Sequence, residues 1–92
     1  MIQSIKHAGL KLLYERGSAR KLTAAQVPKI KRVLTALEAA RKAEDMDLPG
    51  LGLHPLRGDL AGTWSVTITG NWRVTFRIVD GDVYDVNLVD YH

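Results

Sequence analysis

Histidine and arginine side chains stand at positions that the sequence pattern leaves exposed. His54 precedes the first predicted strand, Arg73 alternates with the apolar residues of the next strand, and the sequence closes with Asp90-Tyr91-His92. Imidazole exchanges protons near neutrality because its unperturbed pKa is about 6.5. A guanidinium donates two hydrogen bonds at once to a phosphate. These groups suit RNA cleavage without a metal, in which a base deprotonates the 2′-hydroxyl and an acid protonates the departing 5′-oxygen.

Two more guanidinium groups accompany this set and are candidates for substrate binding. Arg57 follows His54 in the same loop, and Arg77 shares a strand face with Arg73. In an antiparallel meander, the end of the third strand can approach the middle strand, which would gather these groups on one exposed surface. A loop histidine and strand arginines are also common as ordinary surface residues. The residue pattern alone therefore leaves a nuclease as one possibility among several.

Other kinds of catalytic site find little support in the sequence. The chain has no cysteine, which excludes disulfides, thiolate zinc sites and cysteine nucleophiles. His7, His54 and His92 are too far apart in sequence to form a metal-ligand motif. Neither a phosphate-binding loop nor a dinucleotide-binding glycine motif occurs, and no G-x-S-x-G supports a serine triad. We expect no metal and no small-molecule cofactor.

Apolar spacing predicts two helices before any strong strand signal. The first covers residues 7–16 and stops at Gly17. The second follows Thr23 and Gln26, whose spacing is that of a capping box, and has Pro28 in its first turn. We expect one face of this second helix to be buried. Its apolar stripe consists of Val27, Ile30, Val33, Leu34, Leu37 and Ala40.

The hydrophobic period changes to two after the proline- and glycine-containing segment 47–52. Residues 64–69, 72–78 and 84–89 alternate as three strands, with turns at 70–71 and 80–81. Trp64 and Trp72 fall on the apolar phase and are expected to anchor the core, while residues 2–5 could add a short opening strand. The predicted fold is therefore α+β, with two N-terminal helices packed on one face of a small antiparallel sheet in the order β-α-α-β-β-β.

Size and charge limit the choice of function. The 92 residues suffice for one domain, spanning residues 1–92, and 46% are apolar. Residues 1–42 contain ten basic and two acidic side chains, whereas residues 43–92 contain three and eight, so the halves carry +8 and −5. A basic half suits a polyanion such as nucleic acid, although a solvated helix face has the same composition. No signal peptide or long apolar run is evident, so we expect a cytoplasmic protein without membrane contact.

The sequence resembles, nearly end to end, the HigB-type toxins in the RelE superfamily of bacterial type II toxin–antitoxin systems. Two segments are especially specific: His-Pro-Leu-Arg-Gly and Asn-Trp-Arg-Val-Thr-Phe. The resemblance is carried by Ile2, residues 4–7, 9–17, 53–59, 62, 64–66 and 71–76, and the terminal Asp90-Tyr91-His92.

This resemblance implies a RelE-like fold and a toxin that cuts messenger RNA in the ribosomal A site. It also implies restraint by a HigA-type antitoxin with a helix-turn-helix domain. His54 and His92 would transfer protons, Asp90 and Tyr91 would orient the substrate or tune His92, and Arg73 would hold the scissile phosphate. The α-carboxylate beside His92 favours its protonated ring, and hence the acid role, although the reverse assignment stays open.

Position 57 is arginine where close relatives have lysine, which keeps the charge and changes the contact geometry. If the partner is the ribosome, the basic half of the chain can bind ribosomal RNA. The candidates for binding ribosomal RNA phosphates are Lys29, Lys31, Arg32, Arg41 and Lys42. Two alternatives remain at this point: a non-enzymatic inhibitor on the same scaffold, such as a gyrase poison, and a non-toxic module that binds nucleic acid or protein.

Overall fold

Two helices form the N-terminal half of the protein. The computed structural model describes residues 1–90, and its helices are α1, Ala8–Arg16, and α2, Val27–Ala39. His7 caps α1, because its Nδ1 accepts a hydrogen bond from the Leu10 amide at 3.2 Å. A Cβ on Gly9 would lie 2.9 Å from the His7 ring, so glycine there lets the ring sit against the helix.

Gly17 ends α1 as predicted. It adopts a φ of 69°, in the left-handed region that favours glycine, and its amide donates to the Leu13 carbonyl. The helix therefore stops where the sequence pattern placed the stop.

The start and the end of α2 differ from the sequence prediction. Thr23 makes no capping side-chain hydrogen bond, and a 3-10 turn, Ala24–Gln26, precedes the helix. Gln26 is buried, and its Nε2 donates to Thr69 Oγ1 at 2.9 Å. The predicted capping box is wrong because the side-chain amide of Gln26 bonds to Thr69 of the sheet and not to the start of the helix. Since α2 ends at Ala39, Arg41 and Lys42 lie in the connection beyond it.

Four antiparallel strands follow in spatial order β1-β2-β3-β4. They are β1, His54–Pro55; β2, Trp64–Thr69; β3, Trp72–Val79; and β4, Asp82–Asp90. Both predicted tight turns are present. Asp80 and Gly81 have φ values of 51° and 83°, the pattern of a type I′ hairpin turn. β1 was expected as a loop, and its two residues are held by pairing with β2.

The opening segment runs parallel to β4, on the edge away from β3. Isolated bridges join Ile2 to Val83 and Ile5 to Val86, so the predicted opening strand exists as two points of pairing. The Lys6 amide donates to the Val86 carbonyl at 2.8 Å. This pairing brings the N-terminal residues beside the last strand.

The hydrophobic core lies between the helices and one face of the sheet. Trp64 packs against it, whereas Trp72 is 37% exposed, so its predicted role as a core anchor is wrong. Trp72 begins β3 beside an irregularity in the β2 register, at the rim of the sheet. Buried core residues include Leu10, Ile30, Val33, Leu37, Val66, Ile68, Val74, Phe76, Val83 and Val86. Within residues 1–90, no helix is long and apolar enough to cross a membrane.

Candidate active site

A row of polar residues crosses the face of the sheet that turns away from the helices. The strand register sets His54 opposite Ser65, Ser65 opposite Thr75, and Thr75 opposite Asn87. Directly opposed residues project to the same side of a sheet. One histidine, two hydroxyls and an amide therefore line up across all four strands.

His54 is exposed and is placed by its pairing with Ser65. Its Nδ1 lies 3.4 Å from Ser65 Oγ, and Ser65 itself is 1% exposed. A buried hydroxyl beside one ring nitrogen restricts the ring's orientation. Nε2, on the far side of the ring, is the nitrogen that this hydroxyl does not contact.

Arg73 lies on the same face, in the neighbouring row. It is paired with Thr67 on β2 and with Val89 on β4, about 7 Å along the strand from Thr75. Its guanidinium donates to the carbonyls of Gly70 at 2.6 Å and Trp72 at 3.1 Å. The β2–β3 turn thus fixes the position of this cation on the open face, as the alternation predicted.

Arg77 lies on the other side of Thr75 along β3, at the same face. It forms an ion pair with Asp85 at 3.4 Å. Asp85 occupies a bulge in β4, with a φ of 57°, and its amide donates to Ser4 Oγ at 2.8 Å. Ser4 of the opening segment therefore stabilises the bulge through a hydrogen bond, and Asp85 in the bulge positions Arg77 through the ion pair.

A cavity of about 210 Å³ opens on this same face. The β1–β2 loop supplies one wall through Leu56 and Leu60, and β4 supplies another through Asn87 and Val89. Lys6 also lines it, which sequence reasoning missed because a parallel contact between residues 80 positions apart leaves no local signal. The alternation of its strand predicts that Asn87 lies on the polar face, but the sequence analysis did not name this residue as a site candidate.

Asp90 is not brought beside His54. Its register partner is Trp72, so it has the strand phase of Leu88 and Val74, which are buried on the helix side. Tyr91 and His92, the other terminal candidates, lie outside the described residues. Arg57 is exposed in the loop and immediately precedes a 3-10 turn, Gly58–Leu60.

Two of the five basic residues predicted to bind RNA have structural partners. Lys29 Nζ donates to the Gly50 carbonyl and Arg32 to the Pro49 carbonyl, each at 3.0 Å. Both therefore hold the loop that leads toward β1. Lys31 is exposed on α2.

The other two basic candidates, Arg41 and Lys42, are exposed in the connection after α2. Their backbone amides donate to Asp45 Oδ2, which lowers the pKa of that carboxyl. In the described part of the chain, no group of three or more His, Asp or Glu side chains is arranged to hold a metal ion.

Comparison with known proteins identifies the family of this chain. Residues 3–92 match the model of the HigB-like toxins, described as RelE-like toxins of the type II toxin–antitoxin system HigB. The chain is 44% identical over 92 residues to the "Endoribonuclease HigB" of Proteus vulgaris, and the alignment covers all of both chains.

Solved structures of toxins share the fold. A mutant of YafQ from E. coli has a TM-score of 0.64 at 18% identity, covering 98% of this chain and 91% of its own. A YoeB/ParE toxin from Agrobacterium tumefaciens has a TM-score of 0.59 at 24% identity, covering 99% and 96%. These likenesses confirm the predicted RelE-like fold. The family match over residues 3–92 and the relative that is 44% identical over the full chain show that the chain belongs to the HigB-like toxins of type II toxin–antitoxin systems.

Proposed function

We propose that this toxin cleaves messenger RNA in the ribosomal A site by the acid–base chemistry of its own side chains, and so stops translation. Membership in the HigB-like toxins and the full-length likeness to an endoribonuclease HigB support the nuclease activity. The observation that carries the proposed site is the shared exposed face of His54 and Arg73.

The proposed reaction is attack of the 2′-oxygen of the RNA on the adjacent phosphorus. His54 Nε2 takes the 2′-hydroxyl proton, and the new bond to phosphorus forms as the bond to the 5′-oxygen breaks. Arg73 holds the negative charge that grows on the phosphate. The products are a 2′,3′-cyclic phosphate and a 5′-hydroxyl.

Strand geometry supports a shared phosphate for these two residues. β1 and β3 are two strand spacings apart, about 10 Å, and the rows of His54 and Arg73 are about 7 Å apart along the strands. Side chains reaching inward from both positions can meet at one phosphodiester between them once the Arg73 guanidinium exchanges the Gly70 and Trp72 carbonyls for the phosphate.

The terminal residues complete the proposed chemistry. His92 protonates the departing 5′-oxygen, and Tyr91 orients the substrate. Asp90 has the opposite strand phase from Arg73, so we give it a positioning role toward His92 and no contact with the phosphate.

The remaining cations are assigned to RNA outside the scissile bond. Arg57 and Arg77 contact neighbouring messenger phosphates. Lys31, Arg41 and Lys42 contact ribosomal RNA, and Lys29 and Arg32 join them while also holding the 49–50 loop. The family implies an antitoxin, and we propose a HigA-type partner. The cytoplasm is the proposed compartment, because ribosomes work there.

Primer extension on a defined messenger tests this function. The purified protein is incubated with the message alone, with ribosomes programmed by it, and with those ribosomes plus His54→Gln protein. Cuts that require both ribosomes and His54 are expected. Equal cutting of free message would overturn ribosome dependence, and no cutting with wild-type protein would overturn the proposed reaction.

A further inference from the structure

We propose that Ser65 is a positioning residue that sets the tautomer of His54: its Oγ accepts a hydrogen bond from Nδ1–H and so leaves Nε2 without a proton. This inference rests on the proposed function, in which Nε2 takes the proton of the 2′-hydroxyl. The two residues are directly opposed on β1 and β2, and His54 Nδ1 lies 3.4 Å from Ser65 Oγ.

A general base at this position needs one of the two histidine tautomers. A neutral imidazole carries its proton on a single nitrogen, and the other nitrogen has the lone pair that accepts a proton. Free histidine in water keeps its proton mainly on Nε2, which would leave that nitrogen of His54 unable to act as a base. An acceptor beside Nδ1 reverses the preference, because the hydrogen bond made by one ring nitrogen sets which nitrogen is protonated.

A serine hydroxyl can donate or accept, and the two directions have opposite consequences for the ring. If Ser65 donated, Nδ1 would be occupied and Nε2 would carry the proton, so neither nitrogen could act as a base. If Ser65 accepts, Nε2 has its lone pair free at the start. The same hydrogen bond persists after proton transfer, since both nitrogens of an imidazolium donate. Only the accepting direction fits both stages of the proposed reaction.

The sheet keeps Ser65 in place and offers its hydroxyl proton another acceptor. Ser65 is 1% exposed on β2, which is paired with β1 on one side and with β3 on the other. Its partner on β3 is Thr75, which is also buried. The Cβ atoms of directly opposed residues are about 4.5–5.5 Å apart, a spacing at which serine and threonine hydroxyls can bond. Ser65 can therefore accept from His54 and donate toward Thr75.

His7 provides an internal reference with the opposite tautomer. Its Nδ1 accepts from the Leu10 amide at 3.2 Å, so its neutral ring carries the proton on Nε2. The two histidines are therefore expected to show opposite protonation patterns in one spectrum.

Nitrogen-15 NMR of the histidine rings tests the inference without RNA. Full-length protein with labelled histidine is measured at about pH 8.5, where neutral imidazole predominates, and His54→Gln and His7→Asn proteins assign the signals. We expect the proton of His54 on Nδ1 and that of His7 on Nε2. In Ser65→Ala, the tautomer ratio of His54 should move toward the Nε2–H form by about two- to twelvefold, the effect of one hydrogen bond of ordinary net strength. The His7 signals should not change.

Ser65→Cys is the matched variant, because the thiol roughly keeps the size of the side chain while its sulfur is a weak acceptor. We expect the same tautomer shift as in Ser65→Ala, and a single-turnover cleavage rate lowered by about the same factor in both proteins. An Nε2–H tautomer of His54 in wild type, or a wild-type tautomer ratio in either Ser65 variant, would overturn the inference. Cleavage that does not require His54 would overturn the proposed function instead, since the spectrum of the free protein still decides the tautomer.

Discussion

At the scale of single residues, the proposed chemistry depends on His54, whose Nδ1 lies 3.4 Å from Ser65 Oγ. We predict that His54→Gln lowers the rate of ribosome-dependent cleavage by about 10²–10⁴-fold, the usual cost of losing a positioned acid or base. Ser65→Ala removes the buried hydroxyl near Nδ1 and should cost much less, because the imidazole is still present. Single-turnover cleavage assays, with circular dichroism to check folding, compare the two. A His54→Gln protein within twofold of wild type would contradict the assignment.

His7 has a structural role that titrates. Burial lowers the pKa of its imidazole below the ordinary value of 6.5, so folding favours the neutral ring that caps α1. This stabilisation is complete above about pH 6.5 and is lost as pH falls through the lowered pKa. His7→Asn keeps a capping acceptor that does not titrate. Urea unfolding between pH 7.5 and 5 should show wild type losing stability relative to His7→Asn. Parallel pH profiles would contradict this.

At the scale of elements, one contact joins α1, α2 and the opening segment. Tyr14 donates to Glu38 Oε1 at 2.6 Å, and the same oxygen accepts from the Ile2 amide at 2.9 Å. The hydrogen bond to Glu38 raises the pKa of Tyr14 to about 12, and the Tyr14 hydroxyl lowers the pKa of Glu38.

Tyr14→Phe is expected to destabilise the fold by about 0.5–1.5 kcal/mol, the range for one hydrogen bond, and toward the low end because Tyr14 is exposed. Ultraviolet titration of wild type should show a tyrosine that ionises near pH 12, and Tyr14→Phe should abolish it. Since the folded-state pKa is raised, this contribution to stability is lost as pH rises from about 10 through 12. If Tyr14→Phe leaves that titration step in place, the assignment is wrong.

At the scale of the whole molecule, we assign different tasks to the basic N-terminal half and to the open face of the sheet that carries His54 and Arg73. We predict that Lys31→Glu together with Arg32→Glu weakens ribosome binding and reduces its salt dependence, while cleavage by bound toxin changes little. Sedimentation with ribosomes over a series of salt concentrations measures this. Arg32→Ala is the matched control, since it removes the hydrogen bond to Pro49 without reversing charge. Unchanged association with ribosomes would contradict the assignment and show that Lys31 and Arg32 are ordinary solvated surface residues.

Local patterns were sufficient for most of the architecture. Gly17 as a helix stop, the Asp80-Gly81 turn and the alternation that exposes Arg73 all depend on neighbours in sequence, and the structure has each of them. The predicted capping box at Thr23 was wrong because the partner of Gln26 is distant in sequence. Gln26 instead donates to Thr69, 43 residues away, and spacing along a helix cannot reveal a partner at that distance.

The sequence by itself was sufficient to predict the two amphipathic helices, the antiparallel hairpins and the family. Hydrophobic periodicity, turn residues and motifs each involve residues that lie close together in the chain. Only the tertiary structure decided that His54 pairs with Ser65, that Asp90 takes the opposite strand phase from Arg73, and that Lys6 lines the cavity on the open face of the sheet. Register and parallel pairing at long range depend on how the whole core packs. A single strand segment has the same alternation whichever neighbour it finally meets.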